Sequence, residues 1–381
     1  MEIEKIMVLD KVTTRYVSLM LTHKCNLNCT YCYENFKDSQ VMDVHTAKYH
    51  IQNIFTETFN SGNYKALELG LMGGEPLLEF CKIKEICEWM WSCAWPLPYI
   101  VFASTNGTLL TDEMKQWFKI NKNKIVLGIS LDGSSTSQFL NRGVKESAID
   151  ISFFIDTWPD QGIKATISRA SLRHLADDII FLHEKGFKTI YSNLAFGIDW
   201  EWGDLITYKN QLLKLIDFYI ENPELERCSL LNLDLCHMLD TSSKYKKYCG
   251  CGEGTMLIDT DGEVYPCPVF SPISLSKERI ASLKNIDFSN PDNFIDRKCR
   301  CCLLRTACPK CYGMSYKETG NPAYVSSFNC VAYKIQVLAN CILQRELLKK
   351  NVLQKQDNAI LYNMLEMLEI LFNNNTKDIT I

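Results

Sequence analysis

From residue 15 to about 225, short apolar runs alternate with longer stretches whose apolar residues recur at helical spacing. The pattern predicts strands at Tyr16–Leu21, Ala66–Met72, Tyr99–Ser104, Ile125–Leu131, Ile163–Ser168 and Lys188–Leu194. It predicts helices over 43–59, 78–93, 111–121, 144–157, 172–185 and 204–221. Strand followed by helix, repeated, is the mark of parallel β/α units, so the fold class is α/β, as an open barrel or a doubly wound sheet. Right-handed crossovers then place the functional loops at the C-terminal ends of the strands. The pattern stops at Asn222-Pro223, a loop-rich stretch runs from about 245 to 330, and a helical one from Val331 to Phe372. The Met and Leu stripe from Leu361 to Phe372 reads as a helix packed on the body.

A chain of 381 residues that is 46% hydrophobic can bury one large core or two medium ones. The 41 Lys and Arg nearly balance the 45 Asp and Glu, and no long basic run occurs, which argues against nucleic-acid binding. The most apolar segment, Met90 to Ala103, is broken by Ser92, Pro96 and Pro98 and falls short of the roughly 20 residues a bilayer span needs. No membrane helix is expected. The N-terminal MEIEKIMVLD lacks the basic and continuous apolar regions of a secretory signal, so the expected compartment is the cytoplasm. There the 18 cysteines point to metal or redox chemistry rather than disulfides.

Three cysteines, Cys25, Cys29 and Cys32, lie within eight residues directly after the first predicted strand. A four-iron cluster needs four ligands, and a tight loop supplying three leaves one iron open to a small molecule. A zinc knuckle with His23 as a further ligand is the alternative. Tyr31 stands just before the third cysteine. At these residues the chain resembles the radical SAM superfamily. The resemblance implies a partial (β/α)6 barrel, and a [4Fe-4S] cluster whose open iron binds S-adenosyl-L-methionine and generates a 5′-deoxyadenosyl radical.

The second predicted strand ends in Gly73-Gly74-Glu75-Pro76, where glycines permit close backbone approach and proline fixes the exit of the turn. This segment is similar to the family's GGEP stretch, which implies a grip on the methionine amino group. Thr105-Asn106-Gly107 and Ser130-Leu-Asp132-Gly133 likewise resemble segments that line the cofactor pocket, with Ser130 and Asp132 at the ribose. Ordinary turn chemistry is the other reading of each. Arg169, closing the fifth strand, could pair with the cofactor carboxylate or lie solvated at the strand end.

Nine cysteines lie between Cys249 and Cys330, too many for one site. Cys249, Cys251, Gly262, Cys267, Cys299, Cys302, Cys308, Cys311 and Cys330 resemble, in order and spacing, the SPASM domain of radical SAM enzymes that mature peptides. Two departures are the two residues, instead of three, between Cys308 and Cys311, and the extra thiol Cys301. The resemblance assigns Cys251, Cys267 and Cys311, with Cys249 as fourth ligand, to one auxiliary [4Fe-4S] cluster. It assigns Cys299, Cys302, Cys308 and Cys330 to another, for three clusters in all. The shortened spacing leaves an iron of the first auxiliary cluster as an alternative substrate site, and a zinc ribbon is the alternative for the whole region.

Cys81, Cys87 and Cys93, spaced by six on one predicted helix, point in different directions and cannot share a site. Cys228, Cys236 and Cys341 read as small buried apolar residues, and His45, His50, His174, His183 and His237 as surface or core residues. The implied organisation is a radical SAM partial barrel over 1–225, a linker at 226–244, a SPASM domain over 245–345 and a helical tail over 346–381. The implied function is maturation of a ribosomally made peptide by an intramolecular crosslink, a thioether or carbon–carbon bond, with the auxiliary clusters accepting the released electron. The alternatives are epimerisation with Cys301 as hydrogen donor, sulfatase maturation, and a non-catalytic zinc-binding module. Sulfatase maturation would call for an acidic residue where Pro268 follows Cys267; no other acid or base stands out. Expected partners are a precursor peptide, a flavodoxin or ferredoxin as electron donor, and a separate leader-binding protein, since the Cys motif begins within 25 residues of the start.

Overall fold

The structure, a computed structural model, describes residues 13–235, 247, 249–302, 304–305, 308–350, 352 and 358–375. Strands β1 (Thr14–Thr22), β2 (Ala66–Gly73), β3 (Tyr99–Thr105) and β4 (Ile125–Ile129) pair in parallel in the order 4-3-2-1, and β5 (Ile163–Ile167) pairs in parallel with β6 (Ile190–Leu194). A bridge between Ser130 and Lys164 joins the two sheets, with the Leu131 N–H donating to the Lys164 carbonyl at 3.0 Å. The six strands thus follow one curved path, a partial barrel. The helices after successive strands are α1 (Val44–Ser61), α2 (Phe80–Ser92), α3 (Asp112–Ile120), α4 (Ser135–Arg142), α5 (Ile151–Thr157), α6 (Leu175–Glu184) and α7 (Trp202–Glu221).

Alternation along the strands decides which face is which. Val17, Leu19 and Leu21, Leu67, Leu69 and Leu71, and Ile125, Leu127 and Ile129 all enter one core beneath the helices. The intervening residues, among them Ser18, Gly70, Ser104, Ser130 and Lys164, lie on the opposite, inner face by the same register. Each buried leucine contributes about 2 kcal/mol, and a one-residue slip would drive Ser18 and Ser104 into the core, so the pattern that predicts the strands also fixes their register.

One expectation is corrected and two are given detail. The stretch 144–157 is not one helix: Gly143, at φ +73°, ends α4, and Asp150 starts α5 by accepting from the Phe153 N–H. The region beyond 245 is not only loop, because β7 (Thr255–Ile258) pairs in parallel with β1, and β8 (Val264–Tyr265) pairs antiparallel with β7. Strands of four and two residues are too short to show a period. The C-terminal stretch is two helices, α10 (Ser327–Lys349) and α11 (Asn358–Asn375), preceded by the short helices α8 (Lys277–Ser282) and α9 (Tyr312–Thr319). Ala332, Ile335, Ala339 and Leu343 of α10 enter the barrel's own core. Asn340 donates to the Leu230 carbonyl and accepts from the Leu233 N–H, clamping the chain after α7. α11 buries Met364, Leu365 and Leu368, the packing expected for its stripe. Among the described residues no helix is long and apolar enough to cross a membrane.

Candidate functional site

The Cys25–Cys32 segment leaves the C-terminal end of β1 and is tied at both ends. Thr22 bridges to Val41, and the His23 N–H donates to the Gln40 carbonyl at 3.0 Å. His23 is buried, with Nδ1 2.9 Å from Asp38 and Nε2 2.7 Å from Asp259, the residue that follows β7. Burial alone would lower its pKa; the Asp259 hydrogen bond and the two carboxylate charges outweigh that and raise it. Both ring nitrogens are committed, so the ligand role considered for His23 is replaced by a structural one joining the barrel to the Cys-rich region.

Gly73-Gly74-Glu75-Pro76 lies directly beneath this loop. A Cβ on Gly74 would stand 2.5 Å from the Lys24 carbonyl oxygen and 2.9 Å from the Cys25 Cβ. The close approach these glycines permit is therefore to the cysteine loop itself. The Glu75 carboxylate, 1% exposed, accepts from the Thr105 hydroxyl (2.8 Å) and the Asn106 (2.9 Å) and Leu77 (3.1 Å) N–H groups. Burial raises its pKa against these bonds. Asn106 in turn donates to Asn26, next to Cys25, at 2.9 Å. Pro76 opens the turn leading to α2, and Ser130 faces Ser104 across the inner face at 3.4 Å.

Asp132 is buried, and its carboxylate accepts from the Tyr31 hydroxyl (2.6 Å), Asn141 (3.1 Å), two Arg142 nitrogens (both 3.0 Å) and the Thr166 N–H (2.9 Å). That saturates the group, so Asp132 is the anchor that fixes Tyr31 in the cysteine loop rather than a free ribose contact. Burial and the Asp132 carboxylate hold the Tyr31 hydroxyl protonated. Arg169 is also engaged, by Glu201 (2.5 Å) and Asp204 (3.0 Å) at the start of α7.

The remaining thiols fall into two further neighbourhoods. Cys251 and Cys249 share a hydrogen bond, and Cys267 and Cys311 lie within electrostatic reach of Cys249. Cys308 lies within reach of Cys299, Cys302 and Cys330. Cys301 is exposed and Pro268 opens a short helical turn capped by Cys267. Cys228 and Cys341 are buried, Cys87 is buried while Cys81 is exposed, and Cys236 and His237 lie outside the described residues. Among the described residues no three His, Cys, Asp or Glu side chains converge tightly enough for one metal ion. A zinc site needs its sulfurs on one point, about 2.3 Å away, whereas a four-iron cluster spreads its thiolates over separate irons.

Burial pushes Cys29 and Cys311 up to about 11 and Cys267 and Cys308 up to about 12. The hydrogen bond from Cys251 lowers the pKa of Cys249, and Cys251 keeps its proton. Thiols that must ionise to bind iron release protons as they do so. In the iron-free protein at pH 7, iodoacetamide is expected to label Cys249 faster than Cys267 or Cys311, the excess of thiolate being partly offset by its lower nucleophilicity. Timed labelling with peptide mass analysis checks this; faster labelling of Cys267 would contradict the arrangement.

Several residues with no sequence signal complete the site. Glu34, buried beside Cys32, is pushed up to about 7 by desolvation against the charges of Lys37 and His23. Tyr33 lies within electrostatic reach of Cys32 on one side and Cys267 and Cys311 on the other. Lys317 of α9 donates to its carbonyl at 2.7 Å. Lys164 on the inner face donates to Asn193. These residues are scattered along the chain and meet only through the fold.

A family model described as a 4Fe-4S single cluster domain matches residues 14–137. The chain is 22% identical over 366 residues to the radical SAM cyclopropyl synthase TigE of Paramaledivibacter caminithermalis, covering 87% of this chain and 74% of the relative. It is 24% identical over 358 residues to a cysteine-type anaerobic sulfatase-maturating enzyme of Clostridium perfringens, covering 81% and 91%. The solved structure of native anSMEcpe with bound AdoMet and Cp18Cys peptide shares the fold at a TM-score of 0.65 and 18% identity, over 89% of this chain and 99% of that one. With a three-cysteine loop at the end of β1 of a partial barrel and a Cys-rich region after it, the chain is similar to the radical SAM enzymes of the SPASM type. These are iron–sulfur enzymes that use S-adenosylmethionine.

Proposed function

We propose that the protein matures a ribosomally made peptide, abstracting a hydrogen atom from it and installing an intramolecular crosslink, a thioether or a carbon–carbon bond. The observation that carries this reading is a polar, water-accessible inner barrel face beside the cysteine loop, with Cys267 and Cys311 within electrostatic reach of Tyr33 in that loop. The relatives support it: TigE is named for forming a ring within its product, and the anSMEcpe structure contains a peptide.

In this reading Cys25, Cys29 and Cys32 hold the cofactor-binding cluster, Cys249, Cys251, Cys267 and Cys311 a second, and Cys299, Cys302, Cys308 and Cys330 a third. The donor sets are all thiols, the chemistry that four-iron clusters take. When bound, a three-thiolate cluster with an open iron supplies the site for the methionine end of S-adenosylmethionine and the electron that cleaves its sulfonium. The chain's own residues orient and enclose. Gly73, Gly74, Glu75 and Pro76 seat the cysteine loop, and Thr105 and Asn106 are tied to it through Glu75 and Asn26. Ser130 presents a hydroxyl on the inner face; Asp132 and Arg142 hold Tyr31 against the barrel wall. Arg169 would reach the cofactor only by leaving Glu201 and Asp204. Residues 1–225 form the catalytic barrel, 226–244 the linker, 245–345 the auxiliary-cluster region and 346–381 the tail, although α10 runs through residue 345. The precursor peptide, a cytoplasmic flavodoxin or ferredoxin donor and a separate leader-binding protein are the proposed partners.

Formylglycine formation is the second reading, favoured by the sulfatase-maturating relative; Pro268, at the position where that chemistry calls for a carboxylate, weighs against it. Product mass separates the readings. Anaerobic co-production with short peptides encoded beside its gene is expected to give a product lighter by two hydrogens per event. One hydrogen leaves as an atom to the adenosyl radical, the other as a proton and an electron. Unchanged mass with inverted residues would indicate epimerisation, and a cysteine converted to an aldehyde would indicate formylglycine formation; either contradicts the crosslink.

A further inference from the structure

The inner face of the barrel carries hydrogen-bond donors that its own acceptors do not use up. Lys164 is exposed although it lies on that face, bridged to Ser130 at the C-terminal end of β4. Its backbone is fixed there, because its carbonyl accepts from the Leu131 N–H at 3.0 Å. An ammonium has three N–H groups. One donates to the side-chain oxygen of Asn193, and among the described residues this ammonium makes no other hydrogen bond and no ion pair. Asp132 lies within electrostatic reach, but its carboxylate is already taken by Tyr31, Asn141, Arg142 and the Thr166 N–H. The Ser104 and Ser130 hydroxyls, 3.4 Å apart, can spend only one of their two protons on each other. One alternation below them the Phe102 ring lies over Gly128, where a Cβ would stand 2.6 Å from it. Spare N–H groups on a cation, with a hydroxyl proton beside them, gain most from an anionic oxygen acceptor. The aromatic wall suits an acceptor that arrives on a chain with apolar atoms.

We propose that Lys164, with the Ser104 and Ser130 hydroxyls beside it, is a carboxylate-binding subsite for the substrate peptide. It selects peptides that carry an acidic side chain or a free C-terminus near the residue that loses its hydrogen. The inference rests on the peptide-maturation reading above and adds to it the chemical class of the substrate. Ser104 is followed by Thr105, which holds Glu75 under the cysteine loop, so a carboxylate at Lys164 anchors the peptide on the face beside that loop. Asn193 orients the ammonium without neutralising it, which leaves its charge for the ligand.

The test uses the full chain, reconstituted anaerobically with iron and sulfide and saturated with S-adenosylmethionine. Ligand-observed NMR titration gives dissociation constants for three probes: a capped peptide of glycines around one glutamate, the same peptide with glutamine, and a glycine peptide with a free C-terminal carboxylate. Wild type is expected to bind one of the two carboxylate peptides about fivefold more tightly than the glutamine peptide, the discrimination a partly exposed ion pair gives. Which of the two is favoured tells a side chain from a C-terminus. Lys164→Gln is expected to lose the preference and Lys164→Arg to keep it. Equal affinities in wild type, or a preference that survives in Lys164→Gln, overturn the proposal and leave peptide maturation standing; failure of all three peptides to bind overturns it as well. Equilibrium dialysis with S-adenosylmethionine alone separates the remaining source of a carboxylate. Its affinity is expected to be the same in wild type and Lys164→Gln, and a weaker one in the variant would assign the ammonium to the cofactor's own carboxylate and overturn the subsite. The comparison of peptides on wild type decides the matter should Lys164→Gln fail to fold. The maturation reading falls on a different result, the mass of the product.

Discussion

Arg142→Met is expected to destabilise the iron-free protein by about 3–5 kcal/mol, because it leaves the buried Asp132 carboxylate without its cation. Both side chains are nearly inaccessible, and their two-pronged contact is supplemented by Tyr31, Asn141 and the Thr166 N–H. Desolvation works against the arginine charge, and Asp132 more than restores it. The hub joins three segments that are far apart in sequence: the cysteine loop, α4 with the turn after β4, and β5. Its loss is therefore expected to loosen Tyr31 as well as lower stability. Urea titration gives the first effect, and faster alkylation of Cys29 in the folded iron-free protein gives the second. Asp132→Asn combined with Arg142→Met is expected to recover part of the loss, since removing both charges leaves none uncompensated. A single variant within about 0.5 kcal/mol of wild type would show that the hub does not hold the loop.

The second large effect concerns the loop itself. Replacing Cys25, Cys29 or Cys32 by Ala is expected to reduce cleavage of S-adenosylmethionine to background and to lower the iron content by about one third, the share of one cluster in three. The other two thirds should stay, because in the proposed assignment Cys249, Cys251, Cys267 and Cys311, and Cys299, Cys302, Cys308 and Cys330, hold clusters of their own. Iron and sulfide analysis beside product chromatography checks both parts. Variants that cleave the cofactor at the wild-type rate would place the chemistry elsewhere. Replacing Cys302 or Cys330 should reverse the pattern, sparing cofactor cleavage more than peptide modification.

The strands and the three-cysteine loop were legible because each rests on local signals: a period-2 apolar run, or thiols close together in sequence. β1 to β6 lie at or within two residues of the predicted starts, since their outward residues alone form the core and their spacing cannot drift. α4 was missed because Gln138, Asn141 and Arg142 are buried polar residues, an inversion of the usual amphipathic pattern that only the Asp132 hub explains. β7 was missed because it is stabilised by an edge of β1 more than two hundred residues away. The grouping of the auxiliary thiols was implied by the resemblance to the SPASM domain and not by any local signal. The roles of Asp132 and His23 did not follow: a carboxylate or imidazole looks the same in sequence whether it faces a ligand or a buried partner. Lys37 and Glu34 carried no signal at all, because a charged residue in a loop normally reads as solvated.

A cysteine loop at the end of β1 is proposed to make one electron available to a bound sulfonium. The most direct test is to incubate the reconstituted, chemically reduced protein with S-adenosylmethionine in the absence of air and measure 5′-deoxyadenosine. The account predicts steady formation of 5′-deoxyadenosine that depends on reductant and on all three cysteines. A protein that carries its full iron and sulfide yet leaves S-adenosylmethionine intact would contradict it.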